Sequence, residues 1–236
     1  MFEREHHRYV ATVLESLDAA LLASKGCLFG GATAIVLRYG EYRESLDIDF
    51  LVSSQQGYRD LRQLVTGSRG LNALARTGCK LEETRELRAD QYGLRTRVRV
   101  LDAEIKFEIV FEVRISLDVP GPEDRICGIA ALNPIDMAAT KLLANSDRWR
   151  DDAVHSRDII DLAMMAPPSK LLLGAKEKAR GAYGDSIDKD LKAAVDRFAG
   201  HPEKLDDCMR ALQMHVPRAL LWNRMRPLSR VRRRSV

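Results

Sequence analysis

The sequence has little of what marks several specialised protein classes. Only four of its 236 residues are cysteine and aromatic residues make up 6%. We therefore expect reduced, mostly buried thiols, no zinc site and a mainly aliphatic core. No apolar run approaches the roughly 18–20 residues that cross a bilayer. The first residues lack the apolar segment of a signal peptide, and together these absences predict a cytoplasmic protein without a membrane partner.

Over the whole chain, basic and acidic residues are nearly balanced. The net charge is +4, with 45% hydrophobic and 31% charged residues, a composition that excludes wholly disordered, collagen-like and coiled-coil chains. The local exception is residues 224–236, which contain six arginines and no acid. We interpret this tail as attracting nucleic-acid phosphates, with Trp222 able to stack on a base. The alternative is a disordered tail that only aids solubility.

Hydrophobic periodicity changes near the middle of the chain. The first half mixes helical stripes with period-two alternation, which predicts strands at 27–29, 46–52, 92–101 and 103–115. After Pro120 the pattern turns helical, with a helix start at Asn133-Pro134 and further helices to about residue 215. The sequence therefore predicts an α/β domain over residues 1–128 and a helical domain with a basic tail over residues 129–236.

One group of residues in the first half is a candidate catalytic motif: Gly30-Gly31, a short helix, and then Asp47 and Asp49 on a strand. Side chains two apart on a strand share a face, so the two carboxylates lie together. Two magnesium ions about 3.5–4 Å apart require such shared carboxylates. A strand that ends in Gly-Gly and opens a helix exposes backbone N–H groups to phosphate. The pattern predicts a two-metal site that binds an NTP.

A third carboxylate is expected on a neighbouring strand. Glu108 lies on the polar face of the strand predicted at 103–115, and Glu112 lies further along the same face. Either one can complete the metal site and help an acceptor hydroxyl lose its proton. The alternative is a solvated strand face on which Lys106 and Arg114 pair with these glutamates.

The first two motifs of the AbiEii/AbiGii nucleotidyltransferase toxins resemble residues 29–50, FGGATAIVLRYGEYRESLDIDF. Two later motifs of that family resemble residues 134–144, PIDMAATKLLA, and residues 157–162, RDIIDL. The family is a branch of the polymerase-β-like nucleotidyltransferase superfamily. It often has an aspartate after a lysine-containing strand, where this chain has Glu108.

The resemblance implies an α/β (α+β) fold, a mixed sheet with flanking helices followed by a helical domain. It also implies magnesium-dependent transfer of a nucleoside monophosphate from an NTP to RNA, in particular tRNA, by the toxin of a toxin–antitoxin pair. Arg95, Arg97 and Arg99 on one strand face agree with an RNA acceptor. The alternatives are a small-molecule acceptor such as an aminoglycoside, and a non-catalytic module that binds a nucleotide or a partner.

The resemblance also implies roles for individual residues. Three carboxylates would hold two magnesium ions: Asp47, Asp49 and Glu108. The nucleotide would be bound by Gly30, Gly31, Thr33, Arg43, Ser45 and Lys141. Asp158 would orient Lys141 or contact the nucleotide. Lys141 is alternatively a surface lysine with its charge in water, and Asp161 is either part of the same group or a helix-surface acid beside Arg157.

Overall fold

The computed structural model describes residues 2–230, which form two compact units. The first unit comprises the chain up to Glu41 together with Ser45–Asn133. The second comprises Tyr42–Glu44 together with the chain from Pro134 onwards. The short segment 42–44 therefore belongs with the second unit, which we call the helical unit. The residues on both sides of it belong to the first unit, which we call the sheet unit.

A five-stranded mixed sheet forms the first unit. Its strands are β1 (Leu28–Gly30), β2 (Asp47–Val52), β3 (Glu82–Ala89), β4 (Gly93–Val100) and β5 (Ala103–Phe111). Their spatial order is β1-β2-β5-β4-β3, with β2 and β5 parallel and the other neighbours antiparallel. Two short strands, β6 (Arg125–Ile126) and β7 (Ile129–Ala130), form a separate hairpin. The mixed sheet confirms the predicted fold class.

Four α-helices belong to the described part of the sheet unit: α1 (Glu5–Glu15), α2 (Ala19–Ser24), α3 (Gly31–Arg38) and α4 (Gln55–Val65). The chain breaks between α1 and α2 near Asp18, whose carboxylate caps α2 by accepting from the N–H of Leu21. All four cysteines are free, but only Cys27 is fully buried; the other three are half-buried, which corrects the expected burial.

One face of the sheet is an apolar core. The rings of Phe29, Phe50 and Phe107 form a row across β1, β2 and β5, with successive centroids 5.6 Å apart. Because side chains alternate along a strand, Asp47 and Asp49 on β2 lie on the opposite face from Phe50. The packed face therefore determines which side of the sheet presents the carboxylates.

Six α-helices form the described part of the second unit: α5 (Pro134–Arg148), α6 (Arg157–Met165), α7 (Ser169–Tyr183), α8 (Ser186–Asp196), α9 (Pro202–Ala211) and α10 (Arg218–Met225). The helix α5 packs against α6, α7 and α8, and buries Leu142 and Leu143 among them. Within residues 2–230, none of the helices combines the length and apolar character that crossing a membrane requires.

The predicted basic tail begins inside the folded core. The helix α10 packs on α6, and the side chains of Leu221, Met225 and Leu228 are at most 3% exposed. The ammonium of buried Lys176 donates to the carbonyl oxygen of Leu228 at 3.1 Å. Residues 224–230 are therefore structural, which contradicts the alternative of a wholly disordered tail. The rest of the tail, with Arg232, Arg233 and Arg234, lies outside the described residues.

Replacing Leu228 by Ala is expected to lower the free energy of unfolding by about 2 kcal/mol, because a buried leucine leaves a cavity when it is truncated. The matched control is Arg226→Ala, at an exposed position two residues earlier, with an expected change within about 0.5 kcal/mol. Chemical denaturation of the two variants compares them directly. Equal stability of both would show that the segment after α10 does not support the core.

Candidate active site

Gly31 brings the start of a helix against one of the candidate metal ligands. β1 pairs with β2 so that Gly30 lies opposite Asp49, and α3 begins at the next residue. Gly31 has a φ of +66°, and a Cβ there would lie 2.7 Å from the Cβ of Asp49 and closer still to a carboxylate oxygen. A side chain at position 31 would occupy the space of the Asp49 carboxylate. The structure therefore brings the Gly-Gly pair and Asp49 together, as the motif spacing predicts.

Replacing Gly31 by Ala is expected to displace the Asp49 carboxylate and to reduce nucleotidyl transfer by at least about tenfold, with a stability loss of about 1–3 kcal/mol from the strained backbone. Gly128→Ala is the matched control, since Gly128 has a φ of +78° and open space around its Cβ position. The two variants share the backbone strain, so a difference in transfer rate reports the collision with Asp49. Equal rates would argue against the close approach.

The third carboxylate of the metal site has one well-placed candidate. The parallel register of β2 and β5 pairs Asp49 with Glu108, which places Glu108 on the face of both aspartates. Glu112 lies beyond the end of β5, buried, with both oxygens bonded to Arg114. The register therefore favours Glu108 as the third carboxylate, whereas Glu112 binds the guanidinium of Arg114.

Glu108 is held by cations. One of its oxygens lies 2.7 Å from the ammonium of Lys106 and the other lies 3.1 Å from the guanidinium of Arg95. In the described part of the chain, no three His, Cys, Asp or Glu side chains converge as a metal site. Asp47 and Asp49 supply the hard oxygen donors that magnesium prefers, so this pair fits the ion. Glu108 joins them only if it exchanges its ion pairs for the metal.

The hydroxyls of Thr33 and Ser45 form a buried link to β2. Thr33 donates to the carbonyl oxygen of Asp47 at 2.5 Å, which leaves the Ser45 hydroxyl to donate to Thr33 at 2.8 Å. The backbone N–H of Ser45 donates to Nε2 of His7, 3.2 Å away, and Nδ1 of His7 donates to Glu41 at 2.7 Å. These bonds hold the backbone that leads into Asp47. Contact of Thr33 or Ser45 with phosphate stays a prediction.

His7 was not singled out by the sequence, and its buried ring predicts a pH effect. Burial lowers the pKa of His7 below 6.5, although its partner Glu41 opposes the shift. As the pH falls, His7 is therefore protonated at a higher pH in the unfolded chain than in the folded chain. Its contribution to the free energy of unfolding is complete above pH 6.5 and decreases as the pH falls below that value. We expect His7→Gln, which keeps a donor and an acceptor, to reduce the decline of the denaturation midpoint with falling pH. His201→Gln, at an exposed position, should leave it unchanged.

A buried ionic network occupies the helical unit. Lys141 on α5 is only 5% exposed, and its ammonium lies 3.0 Å from Asp158 and 2.7 Å from Asp161, both on α6. Asp161 also accepts two bonds from the guanidinium of Arg43, at 2.7 and 2.9 Å. The alternatives of Lys141 as a surface lysine and Asp161 as a helix-surface acid are therefore both wrong. Arg43, expected at phosphate, has its guanidinium bound to Asp161.

Two members of the network were missed by the sequence reasoning. Arg148 bonds Asp158 through two nitrogens, at 2.7 and 3.0 Å, and the hydroxyl of Tyr42 donates to Asp161 at 2.8 Å. The signal for Arg148 was its position seven residues after Lys141, which puts both on one helix face. No local signal indicates Tyr42, because its partner lies 119 residues away.

Both carboxylates of this network are ionised. Burial raises the pKa of Asp161, but the charges and hydrogen bonds of Arg43 and Lys141 outweigh it and hold that pKa well below the ordinary 3.8. Burial likewise raises the pKa of Asp158, yet Lys141 and Arg148 keep it below the ordinary value. Three cations therefore surround two carboxylates, and the cluster carries one positive charge in excess.

Comparison with known proteins identifies similar chains. A family model described as nucleotidyl transferase AbiEii toxin, type IV toxin–antitoxin system, matches residues 13–227. The crystal structure of JHP933 from Helicobacter pylori is similar over 98% of this chain and 94% of its own, with a TM-score of 0.51 and 16% identity. A candidate nucleotidyltransferase from H. pylori has a TM-score of 0.49 and 18% identity over 95% of this chain and 93% of its own. No curated protein matches significantly.

Proposed function

We propose that this chain, which belongs to the AbiEii family of nucleotidyl transferase toxins, moves a nucleoside monophosphate from an NTP to RNA with the help of Mg²⁺. The chain is a nucleotidyltransferase of a type IV toxin–antitoxin family, and its sheet unit has the mixed sheet expected of that fold. The reaction releases pyrophosphate. We place it in the cytoplasm, with a cognate antitoxin as a further partner.

The single observation that carries the proposal is the contact between the start of α3 and Asp49. Gly31 opens this helix against the Asp49 carboxylate, and Asp47 lies two residues away on the same face of β2. Exposed N–H groups at a helix start attract the phosphates of an NTP, while the carboxylates are suited to hold Mg²⁺. When bound, the metal neutralises triphosphate charge and aligns the attacking and leaving oxygens.

In the proposed reaction an acceptor hydroxyl attacks the α-phosphorus of the NTP. The new oxygen–phosphorus bond forms as the bond to pyrophosphate breaks, and the hydroxyl proton passes to a carboxylate of the sheet face. Glu108 is the proposed acceptor of that proton, because it lies opposite Asp49 in the strand register. The resemblance to the family assigns Lys141 to the NTP phosphates, with Asp158 orienting it, and the excess positive charge of its network agrees with this role.

RNA is favoured over a cationic drug as the acceptor by the charge of the sheet face. Lys106 and Glu108 on β5 lie opposite Asp47 and Asp49. Their partners on β4 are Arg97 and Arg95, so cations neighbour the carboxylates. A site for an aminoglycoside requires acidic groups, since its ligand is itself positively charged. The face therefore matches a polyanion, and tRNA is the RNA that the family resemblance implies.

Incubation with each labelled NTP, Mg²⁺ and purified tRNA, followed by sizing of the labelled product, tests the proposal. We expect label at the size of tRNA with at least one NTP, and none when the metal is chelated. A parallel reaction with an aminoglycoside distinguishes the small-molecule alternative. Label only in that reaction would overturn the RNA acceptor, and absence of Mg²⁺-dependent NTP binding by calorimetry would support the non-catalytic alternative.

A further inference from the structure

Two rows of side chains cross the sheet from the candidate metal ligands to its far edge. Residues that are partners in adjacent strands point to the same face, so each row can be followed from β2 through β5 and β4 to β3. Both rows begin at an aspartate and end at an arginine. They consist of Asp47, Lys106, Arg97 and Arg85, and of Asp49, Glu108, Arg95 and Arg88.

An irregularity in β3 places two arginines on this face. Arg85 and Arg88 are three residues apart, and strict alternation would send them to opposite faces. The register of β3 shifts between them, so that Arg85 pairs with Arg97 and Arg88 pairs with Arg95. The bulge therefore brings both guanidinium groups to the face that carries the aspartates.

The far part of the two rows lines a pocket of about 130 Å³. Five cations and a single carboxylate surround it, together with Thr96: Arg85, Arg88, Arg95, Arg97, Lys106 and Glu108. Glu108 is shared between Lys106 and Arg95, and Arg95 also pairs with Asp90, which does not line the pocket. Among residues 2–230, no acid pairs with the side chains of Arg85, Arg88 or Arg97. The pocket thus holds more positive charge than the chain itself neutralises.

The arginines are also placed against one another. Two pairs of like charges, Arg85 with Arg97 and Arg88 with Arg95, lie directly opposite across β3 and β4. Like charges in this position destabilise a strand pair. An anion that binds between them relieves the repulsion and gains charge-assisted hydrogen bonds from several guanidinium groups. The arrangement therefore favours a phosphate as the ligand.

We propose that this pocket binds a backbone phosphate of the RNA acceptor, an inference that rests on the proposed function. The sheet order separates it from the donor nucleotide, because β1 and its Gly-Gly turn lie on one side of β2 whereas β5, β4 and β3 lie on the other. At 4.7–4.9 Å between strands, β4 and β3 lie about 10 and 14 Å from β2.

The test is equilibrium binding of a short fluorescein-labelled single-stranded RNA, without NTP, to the full chain and to the Arg85→Gln/Arg97→Gln double variant. Both arginines are exposed and face each other, so the variant should melt at the same or a higher temperature than the wild type. We expect its affinity to fall roughly tenfold or more at about 50 mM salt. The slope of log affinity against log salt should decrease by about 0.7, since the pocket holds one phosphate and each phosphate contact to a single strand contributes about 0.7.

Arg210→Gln is the matched control. Arg210 is an exposed arginine on α9 that pairs with Asp207 and does not line the pocket. We expect this variant to bind RNA like the wild type. Binding of a fluorescent NTP in Mg²⁺ is measured for both variants as a second arm, and we expect it to be unchanged.

Each outcome separates this inference from the proposed function. Equal affinity and salt slope for the double variant and the wild type would overturn the phosphate pocket while leaving nucleotidyl transfer intact. Loss of NTP binding instead of RNA binding would assign the pocket to the donor triphosphate and also overturn it. Conversely, loss of RNA binding in the double variant together with no transfer to tRNA by the wild type would support the pocket and contradict the proposed acceptor.

Discussion

Replacing Asp49 by Asn is expected to reduce nucleotidyl transfer by at least about 10²–10³-fold. The amide keeps the shape of the side chain that packs against Gly31, but it removes the negative charge that the proposed metal site requires. Replacing Asp47, its neighbour on the same strand face, should have a comparable effect. Both side chains are half-exposed, so neither change should disturb the apolar core on the other face of the sheet.

Glu104→Gln is the control for these variants, since Glu104 is an exposed carboxylate on β5 that, within residues 2–230, forms an ion pair only with Arg99. It should retain wild-type transfer. Initial rates at saturating Mg²⁺ and calorimetric titration of NTP measure catalysis and binding separately, and circular dichroism reports folding. Near-wild-type rates for Asp49→Asn or Asp47→Asn would remove that residue from the site.

Replacing Asp161 by Ala is expected to lower the free energy of unfolding by about 3–5 kcal/mol. Asp161 is the partner of Arg43 and of Lys141, and all three side chains are buried. Truncation leaves the Arg43 guanidinium desolvated without a counter-charge, and the hydroxyl of Tyr42 loses its acceptor. The melting temperature of a chain of this size should fall on the order of 10 °C.

Acid denaturation gives an independent measure of the same network. Because the pKa of Asp161 is lowered in the folded chain, its contribution is present above pH 3.8 and is lost as the pH falls through the lower folded value. The variant should therefore lose less stability than the wild type in this acidic range. Asp196→Ala is the control, an exposed acid on α8 paired with Lys192, expected to cost under about 1 kcal/mol. Equal costs for the two variants would contradict the network.

Local patterns in the sequence predicted the elements that carry the proposed chemistry. Alternation of Asp47 and Asp49 with apolar residues placed β2 and its acidic face, and Gly30-Gly31 placed the start of α3. The Asn133-Pro134 signal placed the start of α5. These features were predictable because each depends on contacts between near neighbours: the pleat of a strand, the cap of a helix, and the freedom of glycine at positive φ.

Other features had no local signal. The edge strand β3, Glu82–Ala89, has too few apolar residues to show alternation, and it forms because its backbone pairs with β4. Its register shift, which aligns Arg85 and Arg88, depends on that pairing. The sequence predicted a basic tail from residue 224 onwards, yet Met225 and Leu228 pack into the helical core.

The sequence by itself determined the family, the carboxylate face and the helical second half, because these follow from ordered motifs and from the periods of strands and helices. Only the tertiary structure decided the partners of the charges. Arg43 and Asp161 are 118 residues apart, and two other cations lie near the Asp158 side of the same cluster. A buried charge is stable only beside its counter-charge, and which distant residue supplies that counter-charge is decided by how the helices pack.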